Sequence, residues 1–363
     1  MITISLCMIV KNEEAVLERL LRTMSTVADQ IVIMDTGSTD RTKEIAARYT
    51  DEVYDFPWTD DFAAARNAVC QKAVSDYWMW MDADDVMEPE QAARLKNLKE
   101  TLDPSVDVVM MKYLTGFDEN GRTSFSYYRE RILKNHKGFQ WQGRVHEAVP
   151  PAGNILYTDI EIQHRKEGAG DKDRNLRIYE TMLSQGEPLE PRHQFYYARE
   201  LYYHERYEDA VRVFRVFLQE PDGWVENKID ACLHLALCEE HLGHTEKAVE
   251  ALLKSFLYDS PRGEACCELG RMKMKEEKYR EAAYWYTQAL SSRPAEQTGA
   301  FVRKDCYGFL PSIQLCVCYD RLGDHRRAWH YHLKSQKLKP EHPSVRQKGS
   351  LPHYKIRRGN YVF

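Results

Sequence analysis

The chain of 363 residues carries a net charge of −5, with 29% charged and 43% hydrophobic residues. That length makes room for two domains, and the lack of a basic excess argues against a nucleic-acid partner. No stretch approaches the roughly 20 apolar residues of a membrane span, residues 1–10 lack the basic segment of a secretory signal, and nine scattered cysteines without a C-x-x-C pair exclude a zinc ribbon and point to buried, reduced thiols in a cytoplasmic protein.

Residues 1–165 alternate strand-like and helical runs. TISLCMIV reads as a strand, VLERLLRTM as a helix and QIVIMD as a strand ending in Asp35. RTKEIAARY and FAAARNAVCQKAV read as helices, and YWMWMD and VDVVMMKYL as further strands. Continuous apolar strands between helices predict a Rossmann-like α/β domain, with a mostly parallel sheet covered on both faces. Ligands of such sheets bind beyond the carboxyl ends of the strands. Asn12, Glu13, Asp35, Asp82 and Asp84 all follow strand-like runs, so one cleft is expected to gather them.

The segment MDADD packs three carboxylates into four positions. Asp82 and Asp84, spaced Asp-x-Asp, can share a divalent cation, and oxygen ligands suit Mg²⁺ or Mn²⁺ with a diphosphate completing the shell. The competing reading is a turn whose carboxylates cap the helix starting near Pro89. Asp85 is open to either use. Asp40 reads as the N-cap of RTKEIAARY, and Asp35 as the acceptor of a D-T-G-S turn with Gly37 at the left-handed position.

From residue 191 onward only helical runs occur. EDAVRVF, EKAVEALL, REAAYWY and RRAWHYH share an alanine at Ala210, Ala248, Ala282 and Ala328, at spacings of 248 − 210 = 38, 282 − 248 = 34 and 328 − 282 = 46. Prolines at 221, 261, 294 and 340 follow them. The small residue lets two helices approach and the proline stops the second helix. The pattern is similar to tetratricopeptide repeats, whose period is about 34 residues. The 46-residue spacing implies an insertion, QTGAFVRKDCYGF. Four such repeats predict a short all-α superhelix over 191–340. Residues 166–190 form a helical linker, with RNLRIYETML expected to lead the repeat stack, and 341–363 form a tail.

The blocks SLCMIVKNEEAVLERLL, QIVIMDTGSTDRTKEIA, WTDDFAAARNAV and YWMWMDADD follow in order over the first 85 residues. In wording and spacing they resemble the inverting glycosyltransferases of family 2, which have the GT-A fold. The resemblance implies that Asp35 hydrogen-bonds a nucleobase, although many relatives carry a second acid where this chain has Thr36. It implies that Glu13 lies near the base, that Arg66 reaches the nucleotide, that Asp82 serves ribose and metal, and that Asp84 binds the metal directly. His164 stands where relatives carry a histidine that completes the metal shell or touches the diphosphate. No Glu-Asp pair follows the metal site, and FQWQGRVHEAV resembles a family subset in which a His-Glu pair replaces it. Glu147, with His146, is thus the candidate catalytic base. The alternative is a hairpin with a structural His-Glu pair. Trp141 could stack on a sugar or fill the core.

What the resemblance implies is transfer of a hexose from a nucleotide sugar, a UDP-sugar, with Mn²⁺ or Mg²⁺ as cofactor and inversion at the sugar. A family 2 domain followed by repeat helices resembles the bacterial peptide S-glycosyltransferases in architecture, which points to a peptide or protein acceptor. A saccharide or lipid-linked glycan is the other acceptor class. The repeats could instead serve self-association as a homodimer, or be the working part of an interaction module whose catalytic domain is a vestige.

Overall fold

The computed structural model describes residues 1–117, 121, 123–167, 171–295 and 298–349. The chain divides into two compact units, Met1–Glu200 and Leu201–Phe363. The helical segment that follows residue 165 belongs to the first of these units up to Glu200. The tail sequence SLPHYKIRRGNYVF lies outside the described residues.

In the first unit the elements run β1 (Ile4–Val10), α1 (Leu17–Met24), β2 (Gln30–Asp35), α2 (Thr42–Ala46), β3 (Val53–Asp55), α3 (Phe62–Cys70), β4 (Tyr77–Trp80), β5 (Asp85–Val86), α4 (Pro89–Thr101), β6 (Val108–Phe117), β7 (Thr123–Lys134), β8 (Ile155–His164), α5 (Arg174–Ser184) and α6 (Pro191–Tyr203). The strand order is β3-β2-β1-β4-β7-β6-β8-β5. The half β3-β2-β1-β4 is parallel, as expected. The other half is mixed: β7 runs antiparallel to β4 and β6, β6 is parallel to β8, and β5 is antiparallel to β8. The Rossmann-like α/β architecture is as expected, with four of the seven pairings among β1–β8 parallel; the antiparallel strand β7 adds the mixed half, and its sequence YYRERILK interrupts an apolar run with charges and hides its strand character.

Alternation along the strands fills both faces. Leu6, Met8, Ile31, Ile33 and Met79 pack with Leu17, Leu20 and Leu95 of α1 and α4 on one side. Cys7, Val32, Met34, Trp78 and Trp80 pack with Ala63 and Val69 of α3 on the other. In α1 the buried positions Leu17, Leu20, Leu21 and Met24 follow the helical period. Asp61 caps α3, accepting from Ala64 N at 2.8 Å, and the small residues after it let α3 lie close to the sheet.

The second unit continues with α7 (Tyr207–Phe217), α8 (Val225–His241), α9 (Thr245–Lys254), α10 (Gly263–Lys275), α11 (Tyr279–Ser291), α12 (Phe309–Arg321), α13 (His325–Leu338) and α14 (Pro343–Gly349). Helix pairs α8–α9, α10–α11 and α12–α13 pack together, and α7–α8 and α11–α12 join successive pairs. The repeat alanines Ala210, Ala248, Ala282 and Ala328 are all fully buried. The turn inside each repeat places one residue at positive φ: Glu205, Gly243, Glu277 and Gly323. Their spacings, 243 − 205 = 38, 277 − 243 = 34 and 323 − 277 = 46, repeat those of the alanines. The described part of the insertion packs against α10: Glu264 accepts from Arg303 N at 2.7 Å and from the Tyr307 hydroxyl at 2.6 Å. Gly263 meets it so closely that a Cβ would lie 2.9 Å from the Cys306 carbonyl oxygen.

All nine cysteines are free, and all but Cys70 are buried. Among the described residues no helix is long and apolar enough to cross a membrane.

Candidate active site

The loops after β1 and β2 are laced together. Asn12, at φ 55°, accepts from Thr39 N at 2.8 Å through its side chain, and its own N–H donates to Ser38 Oγ at 2.9 Å. Asp40, expected to cap α2, stands one residue before the actual N-cap, Arg41; it accepts from Thr42 N at 2.9 Å and from Glu14 N at 3.1 Å, tying the two loops together. Asp35 is buried; Oδ1 accepts from Gly37 N at 2.9 Å and Ser38 N at 2.8 Å, the expected turn. Its Oδ2 is buried without a partner, an acceptor left over once the turn is made. Glu13 is half-buried at the same end of the sheet. Burial, then the charges of Asp84, Asp82 and Asp40, push its carboxyl up to about 7.

The three aspartates after β4 have separate partners. Asp82 accepts from Arg66 at 2.7 Å. Burial would raise its pKa, but Arg66 and then Arg131 outweigh burial and hold it at about 2. Asp84 lies 3.3 Å from His164 Nδ1. Asp85 is fully buried: Oδ1 accepts from the Tyr113 hydroxyl at 2.8 Å, and Oδ2 accepts from Arg131 at 3.0 Å and Asp82 N at 3.1 Å. Asp85 therefore does not cap α4, whose N-cap is Glu88. It pairs in register with His164 across β5 and β8.

Asp84, Asp85 and His164 each offer a ligand atom, all within 4.8 Å of one another. A mixed oxygen and nitrogen set fits Mn²⁺ better than the all-oxygen preference of Mg²⁺. The grouping includes Asp85 where the sequence pointed to Asp82, whose carboxylate is turned to Arg66. The carboxylates of Asp84 and Asp85, accepting from His164, push its imidazole up to about 10.

Arg66 is buried and braces the site from α3. Nε donates to Glu147 at 2.6 Å while the other arm holds Asp82. Its guanidinium lies 5.1 Å from the Trp80 ring centroid and 4.8 Å from that of Trp141. Trp141 is itself core, packed edge-on against Trp80 at 5.0 Å, which settles its role against an exposed stacking surface. Residues 139–149 are not a full hairpin: a single bridge joins Gln142 and Ala148. The His146–Glu147 pair splits within it. Glu147 faces Arg66, whereas the His146 ring stacks on Tyr196 at 4.3 Å, with Nε2 2.8 Å from Glu200 Oε1. Helix α5, expected to lead the repeats, packs here through Tyr179, whose ring lies 6.3 Å from that of His146.

Sequence reasoning missed Arg131, Tyr113, Arg192 and Glu200. Arg131 is fully buried, and its guanidinium lies 3.8 Å from the Trp80 ring centroid and 4.3 Å from that of Tyr113. A charged residue between Glu130 and Ile132 in a strand was the available signal.

Residues 5–155 match the family model described as Glycosyl transferase family 2. A TPR repeat-containing protein of Synechococcus elongatus is 32% identical over 149 residues, covering 41% of this chain and 36% of that protein. The SPbeta prophage-derived glycosyltransferase SunS of Bacillus subtilis is 26% identical over 228 residues, covering 58% and 51%. The lipopolysaccharide core biosynthesis glycosyltransferase LpsC of Rhizobium meliloti is 26% identical over 152 residues, covering 40% and 56%. The chain thus spans between 36% and 56% of the length of these relatives. Its first unit carries a glycosyl transferase family 2 domain, and tetratricopeptide-like repeats follow.

Proposed function

We propose that this chain uses its family 2 domain to transfer a hexose from a nucleotide sugar, a UDP-sugar, to an acceptor nucleophile with a divalent ion, Mn²⁺ or Mg²⁺. The observation that carries the reading is the gathering of Asp84 and His164 beside the Arg66-braced pair Asp82 and Glu147, beyond the carboxyl end of β4. An ion held by Asp84 and His164, with Asp85 behind them, would supply positive charge for the leaving diphosphate. Asp35 Oδ2 suits a nucleobase N–H, and Glu13 lies on the same side. Arg66 keeps Asp82 ionised beside the ion and the ribose. Glu147 is the base: it takes the acceptor proton as the acceptor attacks the sugar and the bond to diphosphate breaks. Attack from the face opposite the diphosphate inverts the anomeric centre.

The acceptor in this reading is a peptide or protein held by the repeats. A saccharide acceptor is the second reading, supported by the likeness to LpsC. Buried free thiols suit a reducing compartment, and we place the protein in the cytoplasm. The test is hydrolysis of a panel of nucleotide sugars with Mn²⁺. Slow release of UDP from one donor, absent in Asp84→Ala, is expected. No turnover and no nucleotide binding with any donor would overturn the reading and favour an interaction module built on the repeats.

A further inference from the structure

The loop carrying Glu147 is held in shape from outside. His146 has φ 51°, a left-handed conformation strained for a non-glycine residue. Its ring stacks within 11° of parallel on Tyr196, and Nε2 meets Glu200 Oε1 at 2.8 Å. Its carbonyl oxygen accepts twice from Arg192, at 3.2 and 3.1 Å. Asn175 donates to the same Glu200 oxygen at 3.0 Å, tying α5 to the contact. On the other arm, Gly143 stands so close to His193 that a Cβ would fall 2.3 Å from Nε2. The Arg144 carbonyl accepts from Phe62 N at 2.8 Å, where α3 begins. Within the loop only the Gln142–Ala148 bridge closes it, at 2.9 and 3.1 Å.

We propose that α6 is a positioning element for the base: Glu200 and Arg192 fix His146 in its left-handed conformation and so set the direction in which Glu147 leaves the backbone toward Arg66. His146 is then a positioning residue and takes no proton from the acceptor. The His146 ring faces α6 and the Glu147 carboxylate faces Arg66, with the left-handed His146 backbone joining the two contacts. The inference rests on Glu147 being the base.

The test uses the full chain with Glu200→Ala, Glu200→Gln, His146→Asn and His146→Ala. Two readouts are taken: kcat and KM for Mn²⁺-dependent UDP-sugar turnover, and hydrogen exchange at the Gln142 and Ala148 amides. Glu200→Ala is expected to speed exchange and lower kcat, each by about tenfold, the scale of one charge-assisted hydrogen bond. Donor KM should stay within about twofold, since the metal and nucleotide residues are untouched. Glu200→Gln, whose amide oxygen still accepts from Nε2, restores both. His146→Asn, which tolerates positive φ, retains more turnover than His146→Ala. Unchanged exchange in Glu200→Ala overturns the proposal, as does equal inactivity of both His146 variants with the loop still protected. A wild type that turns over no donor removes the glycosyltransferase reading, while the exchange readout still decides whether α6 holds the loop.

Discussion

Arg66 Nε stands 2.6 Å from Glu147 Oε1, across 81 positions of sequence, and Asp82 takes the other arm of the same guanidinium. The finding makes Arg66 a brace between two acids. Removing one partner of a buried ion pair costs about 3–5 kcal/mol. The Asp82 side chain is 31% exposed and that of Glu147 11%, so water screens part of the loss. Arg66→Ala should therefore destabilise the first unit by about 2 kcal/mol in chemical denaturation. Arg66→Lys should recover part of the stability, because one ammonium cannot serve both acids. Equal stability of wild type and Arg66→Ala would show that the brace is weak.

Asp84 and Asp85 are neighbours with opposite expected signatures. Asp85→Ala strands the fully buried Arg131 guanidinium, a loss of about 3–5 kcal/mol, visible as a lower Tm without any ligand. Asp84→Ala should leave Tm near wild type but abolish the extra thermal protection that Mn²⁺ gives in the presence of UDP. If the two variants exchange these behaviours, Asp85 is the principal metal ligand.

Acid should loosen the Glu147 loop. Burial pushes the His146 imidazole below its ordinary value, against the pull of Glu200. The unfolded chain takes up the proton near pH 6.5, before the folded one does. Stability from this group is therefore complete above about pH 6.5 and is lost as pH falls through the lower folded value. Unfolding free energy measured from pH 8 to pH 5 should fall more steeply in wild type than in His146→Asn. A steeper fall in the variant would contradict the assignment.

Glu277, at φ 57°, occupies the turn position that glycine fills in two other repeats. Glu277→Gly relieves a left-handed side chain and should stabilise the second unit by about 0.5–1 kcal/mol, read as an upward shift in denaturation midpoint. A loss of stability would mean that contacts of Glu277 outweigh its backbone cost.

The parallel half of the sheet was legible because its strands are apolar on both faces, and the acids after β1, β2 and β4 followed from the strand ends. The repeats were legible because their alanines are spaced by the same geometry that spaces the turns. What stayed hidden was held by distant partners. Arg131 sits in a charged run that conceals β7, so neither the mixed half of the sheet nor the anchoring of Asp85 could be read. His146 and Glu147 are adjacent and looked like one functional pair; their partners, Glu200 and Arg66, lie 54 and 81 positions away and send them to different sides. Helix α5 has an apolar face that fits a repeat helix equally well, and nothing local says that Tyr179 meets His146.

The strand order has a consequence for how the chain is born. Strand β4 is made early, but its neighbour on one side, β7, and the Arg131 that neutralises Asp85 come only with residues 123–134. His164 follows Asp84 by 164 − 84 = 80 residues, which at about 5–20 residues per second takes a ribosome roughly 4–16 s. Until residues 123–134 emerge the nascent domain offers an open strand edge beside an acidic cluster that lacks the Arg131 counter-charge, and His164 is missing for the whole interval. Ribosome-associated chaperones, or a local pool of divalent ions, would meet the polypeptide in this interval, before its sheet is closed.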